Sequence, residues 1–126
     1  MTVRLVYTSL TGNTERFIHK IAKLRPDWQI IKITPDLLMK EPYHLVIYTI
    51  GHGVVPESVK DFLDKNSQLM LSVSSSGNTN YGPAFAIAAM KVSQTHGVPP
   101  LLRFEQAGGP RDVEMIIKRI EEISCQ

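Results

Sequence analysis

Short apolar runs alternate along this chain with stretches of helical periodicity, and this alternation constrains the fold more than any other feature. Runs typical of buried strands occur at Val3–Thr8, Gln29–Ile33, Leu45–Thr49, Leu69–Ser74 and Leu101–Glu105. Four further stretches carry apolar residues three or four positions apart, as amphipathic helices do. Their apolar stripes are Phe17, Ile18, Ile21 and Ala22; Val59, Phe62 and Leu63; Phe85, Ala88, Ala89 and Val92; and Val113, Ile116, Ile117, Ile120 and Ile123. The alternation predicts an α/β fold in which right-handed crossovers join parallel strands.

The number of elements narrows the topology. We expect a flavodoxin-like doubly wound five-stranded parallel sheet with strand order 2-1-3-4-5 and helices on both faces. Residues 34–44 contain two prolines, which predicts an irregular crossover there. The third helix is expected to end at His96, with Gly97 in the left-handed conformation. No linker or low-complexity tract interrupts the 126 residues, so we expect one domain, residues 1–126.

Composition excludes several classes of function. The net charge is only +2 and the Lys and Arg residues are scattered, which argues against nucleic-acid binding. No apolar run approaches the ~20 residues of a membrane-spanning helix, and the N-terminus lacks a signal-peptide layout, so we expect a cytoplasmic protein. The single cysteine, Cys125, allows neither an internal disulfide nor a cysteine metal cluster. No metal site is expected, because metal-ligand spacing is missing among the histidines, which are His19, His44, His52 and His96.

Most glycines of the chain follow a predicted strand. They lie in the loops 9–14, 50–55, 75–82 and 106–109, none of which contains a charged side chain. Because the carboxyl ends of parallel strands meet at one edge of a sheet, these loops should converge. Glycine is common in short strand-to-helix loops for its backbone freedom alone. Backbone freedom alone does not explain why all four loops also lack charged side chains. We therefore expect the loops to form a cradle whose backbone comes close to a flat ligand.

The first of these loops, within "TSLTGNTE" at residues 8–15, has the composition of a phosphate-binding loop. Its hydrogen-bonding residues are Ser9, Thr11, Gly12, Asn13 and Thr14. Free N–H groups at the start of the following helix would add donors for an anion. Two other phosphate-binding motifs, GxxxxGK[ST] and GxGxxG, are missing from the sequence. A Ser/Thr-rich capping turn without a ligand is the alternative for this motif taken alone.

Prolines distinguish the first helix from the others. Pro56, Pro83 and Pro110 each stand where a later helix should begin, and the first helical position favours proline. The helix after strand 1 has no such proline and therefore keeps its N–H donors. This difference favours an anion site at the first helix.

Four segments resemble one known family over nearly the whole chain. They are "YTSLTGNTERF", "YTIGHGVVPESVKDFL", "SVSSSGNTNYGPAF" and "RFEQAGGPRDVE". Together they are similar to the ribonucleotide-reductase-stimulating flavodoxin-like proteins, the NrdI family. The resemblance implies that the chain binds FMN and assists a class Ib ribonucleotide reductase. It further implies that the reduced flavin passes electrons to dioxygen. The resulting superoxide would serve assembly of the dimanganese-tyrosyl radical cofactor of the reductase small subunit, and a separate reductant would recharge the flavin.

The same resemblance assigns the cofactor-binding residues. The phosphate would be held by Ser9, Leu10, Thr11, Gly12, Asn13 and Thr14. The ring near N5 would be lined by Thr49, Ile50, Gly51, His52 and Gly53, of which Gly51, His52 and Gly53 are candidates for tuning it. The pyrimidine end and one ring face would meet Ser75, Ser76, Gly77, Asn78, Tyr81 and Gly82, and the loop after strand 5 would add Gln106, Ala107 and Gly108. This chain departs from the family at Tyr81, where Trp is frequent, and at His52, where an aromatic residue is common.

Two other functions remain open from the sequence. A general flavodoxin-type electron-transfer protein would use the same cofactor with different partners, but its usual acidic face and longer chain are missing here. A regulatory module that kept the fold and lost the flavin is the third possibility. No separate catalytic residue is expected, since the flavin carries the chemistry.

Overall fold

A computed structural model describes residues 2–124, so Cys125 lies outside the described residues. Its five parallel strands form one sheet with the order β2-β1-β3-β4-β5, which confirms the predicted topology. The strands are β1 (Arg4–Tyr7), β2 (Gln29–Lys32), β3 (Tyr43–Tyr48), β4 (Met70–Gly77) and β5 (Pro100–Glu105). Most residues of the central strands β1, β3 and β4 are buried, because helices cover both faces of the sheet.

Helices cover both faces of the sheet. They are α1 (Asn13–Leu24), α2 (Glu57–Asn66), α3 (Ala88–His96) and α4 (Pro110–Ser124), with 3₁₀ turns at Ser67–Leu69 and Thr79–Ala84. Gly97 follows α3 with φ +71°, as predicted. The crossover between β2 and β3 contains no helix, which confirms its irregular character. No helix within residues 2–124 is both long and apolar enough to cross a bilayer.

Alternation along the strands divides the core into two layers. In β1, Leu5 and Tyr7 face α1 and α4, whereas Val6 faces α2 and α3. In the first layer, Phe17 of α1 stacks on Phe104 of β5 with ring centroids 3.9 Å apart. The Phe17–Phe104 stack holds the amino-terminal half of α1 against β5.

The end of β4 differs from the expectation. Ser75, Ser76 and Gly77 were predicted in a loop, but all three belong to β4. The serine hydroxyls find hydrogen-bond partners inside the protein instead of water: the Ser75 hydroxyl donates to the carbonyl oxygen of Ala86 and accepts from the N–H of Ala89. Satisfied in this way, small polar residues can occupy a buried strand.

The prolines are distributed less regularly than expected. Pro110 begins α4, as predicted. Pro56 stands one position before α2, as its N-cap residue. For Pro83 the prediction was wrong, since it lies in the 3₁₀ turn Thr79–Ala84 and α3 begins only at Ala88. Phe85, with ψ 120°, and Ala86, with φ +49°, have non-helical angles, and they interrupt the helical path between Pro83 and α3.

His44 of β3 makes stability depend on pH. Its ring is 1% exposed, its Nδ1 lies 2.7 Å from the Ser72 hydroxyl, and burial lowers its pKa from 6.5 to about 4. Between these two values the unfolded chain binds a proton that the folded protein does not, so stability falls as the pH falls from 6.5 towards 4. The loss over that window should reach about 3 kcal/mol.

Urea unfolding at several pH values measures this loss. The variant His44→Leu should lose this part of the pH dependence, while His19→Gln, at an exposed position, should retain it. Equal slopes of unfolding free energy against pH in wild type and His44→Leu would contradict the assignment.

Candidate functional site

A neutral cavity of about 170 Å³ opens at the carboxyl edge of the sheet. The loops after β1, β3, β4 and β5 all contribute to it, as the glycine pattern predicted. Its lining residues are Ser9, Leu10, Thr11, Asn13, Thr14, Tyr48, Thr49, Ser76, Gly77, Asn78, Tyr81 and Gln106. None of these lining residues, all within the described range 2–124, is charged. Sequence reasoning missed Tyr48, although its place at the end of β3, directly before Thr49, was the signal that could have identified it.

The start of α1 presents unpaired donors to this cavity. Gly12 is the N-cap residue with φ +88°, a conformation that glycine adopts without strain. The Ser9 hydroxyl oxygen accepts from the N–H groups of Gly12 and Glu15, at 3.1 and 3.4 Å. Among residues 2–124, no group accepts from the N–H groups of Asn13 and Thr14. Open donors at a helix start attract an anion, and the helix dipole acts in the same direction.

Two threonine hydroxyls connect the strands and helices that surround the cavity. Thr14 is 1% exposed, and its hydroxyl lies 3.3 Å from that of Ser76 in β4. The hydroxyl of Thr49 accepts from the N–H of Ala88 at 3.2 Å, and the N–H of Thr49 donates to the carbonyl oxygen of Ser76. These contacts hold the cavity walls together across three strand-to-helix connections.

The loop after β3 is closed by its own backbone. Ile50 and Val54 exchange two backbone hydrogen bonds, at 2.9 and 2.8 Å. Gly53, with φ +113°, packs so closely that a Cβ there would come within 2.5 Å of the Ile87 side chain. The exposed tip carries His52, whose ring meets Tyr81 edge to face with centroids 4.7 Å apart. This pair stands beside the cavity and joins the loops after β3 and β4.

Nine predicted cofactor-binding residues do not line the cavity. They are Gly12, Ile50, Gly51, His52, Gly53, Ser75, Gly82, Ala107 and Gly108. Ser75 is buried within β4 and bonded as described above. The carbonyl oxygens of Ala107 and Gly108 both accept from the Lys20 ammonium, at 3.2 and 2.9 Å. The remaining residues shape or border the loops that surround the cavity.

Charged side chains approach the loops in a way that the sequence did not indicate. Glu15 of α1 does not line the cavity, and its carboxylate accepts from the Tyr7 hydroxyl at 3.0 Å. Burial, together with that carboxylate, raises the pKa of Tyr7. Arg16 instead donates to the side-chain oxygen of Asn13, and Glu105 accepts from Thr79. The cavity is neutral, but its surroundings are not.

A larger hollow of about 880 Å³ lies elsewhere, between the ends of α1 and α4. Leu24 and Ile117 line it together with Lys and Glu side chains of the outer helix surfaces. It lies away from the carboxyl edge and receives no loop of the glycine-rich set. In an open α/β sheet the ligand site is expected at that edge, so we assign the candidate site to the smaller cavity.

Comparison with known proteins gives consistent matches. The model of a family described as NrdI flavodoxin-like matches residues 5–118. Protein NrdI of Bacillus licheniformis is 37% identical to this chain over 121 residues, covering 96% of this chain and 89% of that protein. Protein NrdI of Macrococcus caseolyticus is 40% identical over 126 residues, covering 95% of this chain and 90% of that protein.

Solved flavodoxin structures share the fold. A short-chain flavodoxin associated with a non-canonical PDU bacterial microcompartment superposes with a TM-score of 0.73 at 19% identity, covering 99% of this chain and 97% of that chain. Oxidised flavodoxin 2 from Bacillus cereus superposes with a TM-score of 0.66 at 20% identity, covering 98% of each chain. At these identities the likeness establishes the fold alone.

Gly77 and Gly51 are required for two different reasons, close packing at Gly77 and backbone conformation at Gly51. A Cβ on Gly77 would lie 2.5 Å from the backbone nitrogen of Ala86, which cannot move as a side-chain tip can. A Cβ on Gly51 would meet nothing within 4 Å, although its φ of +50° disfavours other residues. We expect Gly77→Ala to lower the free energy of unfolding by about 3 kcal/mol and Gly51→Ala by about 1 kcal/mol. Urea unfolding of both variants measures the difference, and equal losses would contradict the close approach at Gly77.

Proposed function

This chain belongs to the NrdI flavodoxin-like family, as its sequence motifs predicted, and we propose that it is an FMN-binding redox protein that works with a ribonucleotide reductase. The observation that carries the proposal is the pair of open N–H groups of Asn13 and Thr14 at a cavity without charged lining. A phosphate monoester matches these donors, because its charge is stabilised by N–H dipoles even where no cation is present.

The remaining lining residues suit the rest of FMN. Hydroxyl and amide side chains of Thr11 and Asn78 offer partners for the sugar-alcohol chain and the ring edge. The cavity volume of about 170 Å³ is below the ~300 Å³ at which typical cofactor pockets begin. FMN would therefore keep part of its surface outside the cavity, and Tyr81, which lines the cavity, can contact the ring face.

When bound, FMN supplies the redox chemistry, in which its reduced form gives one electron to dioxygen and yields superoxide. In this proposal the partner is the small subunit of a class Ib ribonucleotide reductase, and superoxide serves assembly of its dimanganese-tyrosyl radical cofactor. A separate reductant would be needed to recharge the flavin. The polypeptide binds and orients the flavin, and its neutral cavity wall imposes no negative charge on the reduced ring.

A general flavodoxin-type electron carrier is the second candidate. The two solved flavodoxins support the shared fold, but at 19–20% identity they carry no argument about function. The NrdI relatives are 37–40% identical over nearly the whole chain and favour the first candidate.

Cofactor selectivity tests the phosphate site. FMN should bind at least ~100-fold more tightly than riboflavin, which lacks the phosphate, because charge-assisted hydrogen bonds from two N–H groups are lost. Ser9→Ala should weaken FMN binding about tenfold, since Ser9 orders the N–H groups of the loop, and should leave riboflavin binding unchanged. Quenching of flavin fluorescence measures both affinities.

An exposed serine provides the matched control for this measurement. Ser58→Ala on α2 should bind both flavins as the wild type does. Equal affinity of the wild type for FMN and riboflavin would contradict a phosphate site at α1.

The partner reaction tests the finer proposal. Reduced protein, dioxygen and manganese-loaded reductase small subunit are mixed, and the tyrosyl radical is measured by electron paramagnetic resonance. The radical should form only when reduced flavoprotein is present. Superoxide dismutase should suppress it if superoxide travels through solution, and should have little effect if the two proteins stay in contact. Lack of radical despite measurable binding would contradict this function and would favour the electron carrier.

A further inference from the structure

The segment Thr79–Ala86, which carries Tyr81, has an unfavourable backbone conformation. Gly82 has φ +54°, and Ala86, a residue with a Cβ, has φ +49° while almost fully buried. For a residue other than glycine, a left-handed conformation costs about 1 kcal/mol. The surrounding structure must therefore hold this segment in place.

Contacts with β4 secure only one end of the segment. Ala86 packs against Gly77, and its carbonyl oxygen accepts from the Ser75 hydroxyl. Before Ala86, the backbone N–H groups of Tyr81 and Phe85 make only local hydrogen bonds, to the carbonyl oxygens of Asn78 and Gly82. Those bonds shape a turn but do not tie it to the sheet.

Two charged side chains of the edge strand β5 reach the segment, one at each end. Arg103 donates from its guanidinium to the carbonyl oxygen of Phe85 at 3.2 Å. The carboxylate of Glu105 accepts from the backbone N–H of Thr79 at 3.3 Å and from the Thr79 hydroxyl. Among residues 2–124, these side chains provide the hydrogen bonds that connect Thr79–Phe85 to another element.

The alternation of β5 places both groups on one side. Arg103 and Glu105 are exposed, and Phe104 between them points into the core against Phe17. The two side chains therefore lie two residues apart on the same side of β5. Glu105 binds Thr79, at the start of the segment, and Arg103 binds Phe85, near its end. Tyr81 lies between these two attachment points and faces His52.

We propose that Arg103 and Glu105 are positioning residues that clamp the segment Thr79–Ala86 and thereby fix Tyr81 beside the flavin ring. The role of Tyr81 at the flavin ring rests on the proposed function. The clamp itself does not, because its hydrogen bonds are present in the protein without cofactor. Neither side chain lines the cavity, so both act through Tyr81 rather than by contact with FMN.

Amide hydrogen exchange of the apoprotein tests the clamp directly. Glu105→Gln keeps the size of the side chain and removes its charge, and Thr79→Val removes only the hydroxyl that donates to it. Both variants, and Arg103→Met, should raise exchange within residues 79–85 about 3- to 10-fold. Exchange in β1 and β3 should not change. Glu122→Gln, an exposed carboxylate on α4, controls for the loss of one negative charge.

Flavin affinity tests the consequence at the ring. Because Tyr81 meets the ring and not the phosphate, Glu105→Gln should weaken FMN and riboflavin by the same factor, about 3- to 10-fold. Ser9→Ala should affect FMN alone, so the two variants separate ring positioning from phosphate binding. Urea unfolding should show nearly unchanged stability of Glu105→Gln.

Several results would overturn the inference. Exchange within residues 79–85 that matches wild type in Glu105→Gln, Thr79→Val and Arg103→Met would disprove the clamp. Faster exchange with unchanged affinity for both flavins would disprove the positioning of Tyr81. A wild-type protein that binds neither flavin would overturn the proposed function and the role at the ring, while the apoprotein exchange would still decide whether the clamp exists.

Discussion

The parallel sheet brings the carboxyl ends of its strands to one edge, and the candidate site depends on that constraint. Every crossover starts there, so four neutral loops from distant parts of the chain surround one cavity. At α1 the same geometry points a helix start towards the cavity. The open N–H groups of Asn13 and Thr14 then provide a positive potential without any lysine or arginine in the lining.

Close packing at the end of β4 makes this edge compact. Ser75 and Gly77 let the backbone of Ala86 approach the strand, and Ser76 meets the Thr14 hydroxyl of α1. Larger side chains would push these elements apart. The hydrogen-bonded hydroxyls remove the cost of burying polar atoms, and all buried side-chain N and O atoms of the described residues have partners. A run of serines thus performs a packing role that apolar residues usually have.

Local patterns predicted the strand order and all four helices, because a strand or helix buried on one side needs a regular apolar spacing. They failed at Ser75–Gly77, which the hydroxyl-rich composition assigned to a loop, and at Pro83, which the non-helical residues Phe85 and Ala86 separate from α3. Eleven of the twelve cavity-lining residues were among those predicted from the resemblance, and Tyr48 was missed. Composition and local propensity cannot report which small residues a neighbouring helix covers.

The sequence by itself determined the fold class, the family and the neutral loops that border the cavity, because these depend on periodicity and motifs along the chain. Only the tertiary structure decided which donors stay open, which hydroxyls are already bonded, and where charge approaches the site. Glu105 and Thr79 are 26 residues apart, and Lys20 and Gly108 are 88 apart. Contacts over such separations follow from how crossovers fold back on the sheet, and no local pattern encodes them.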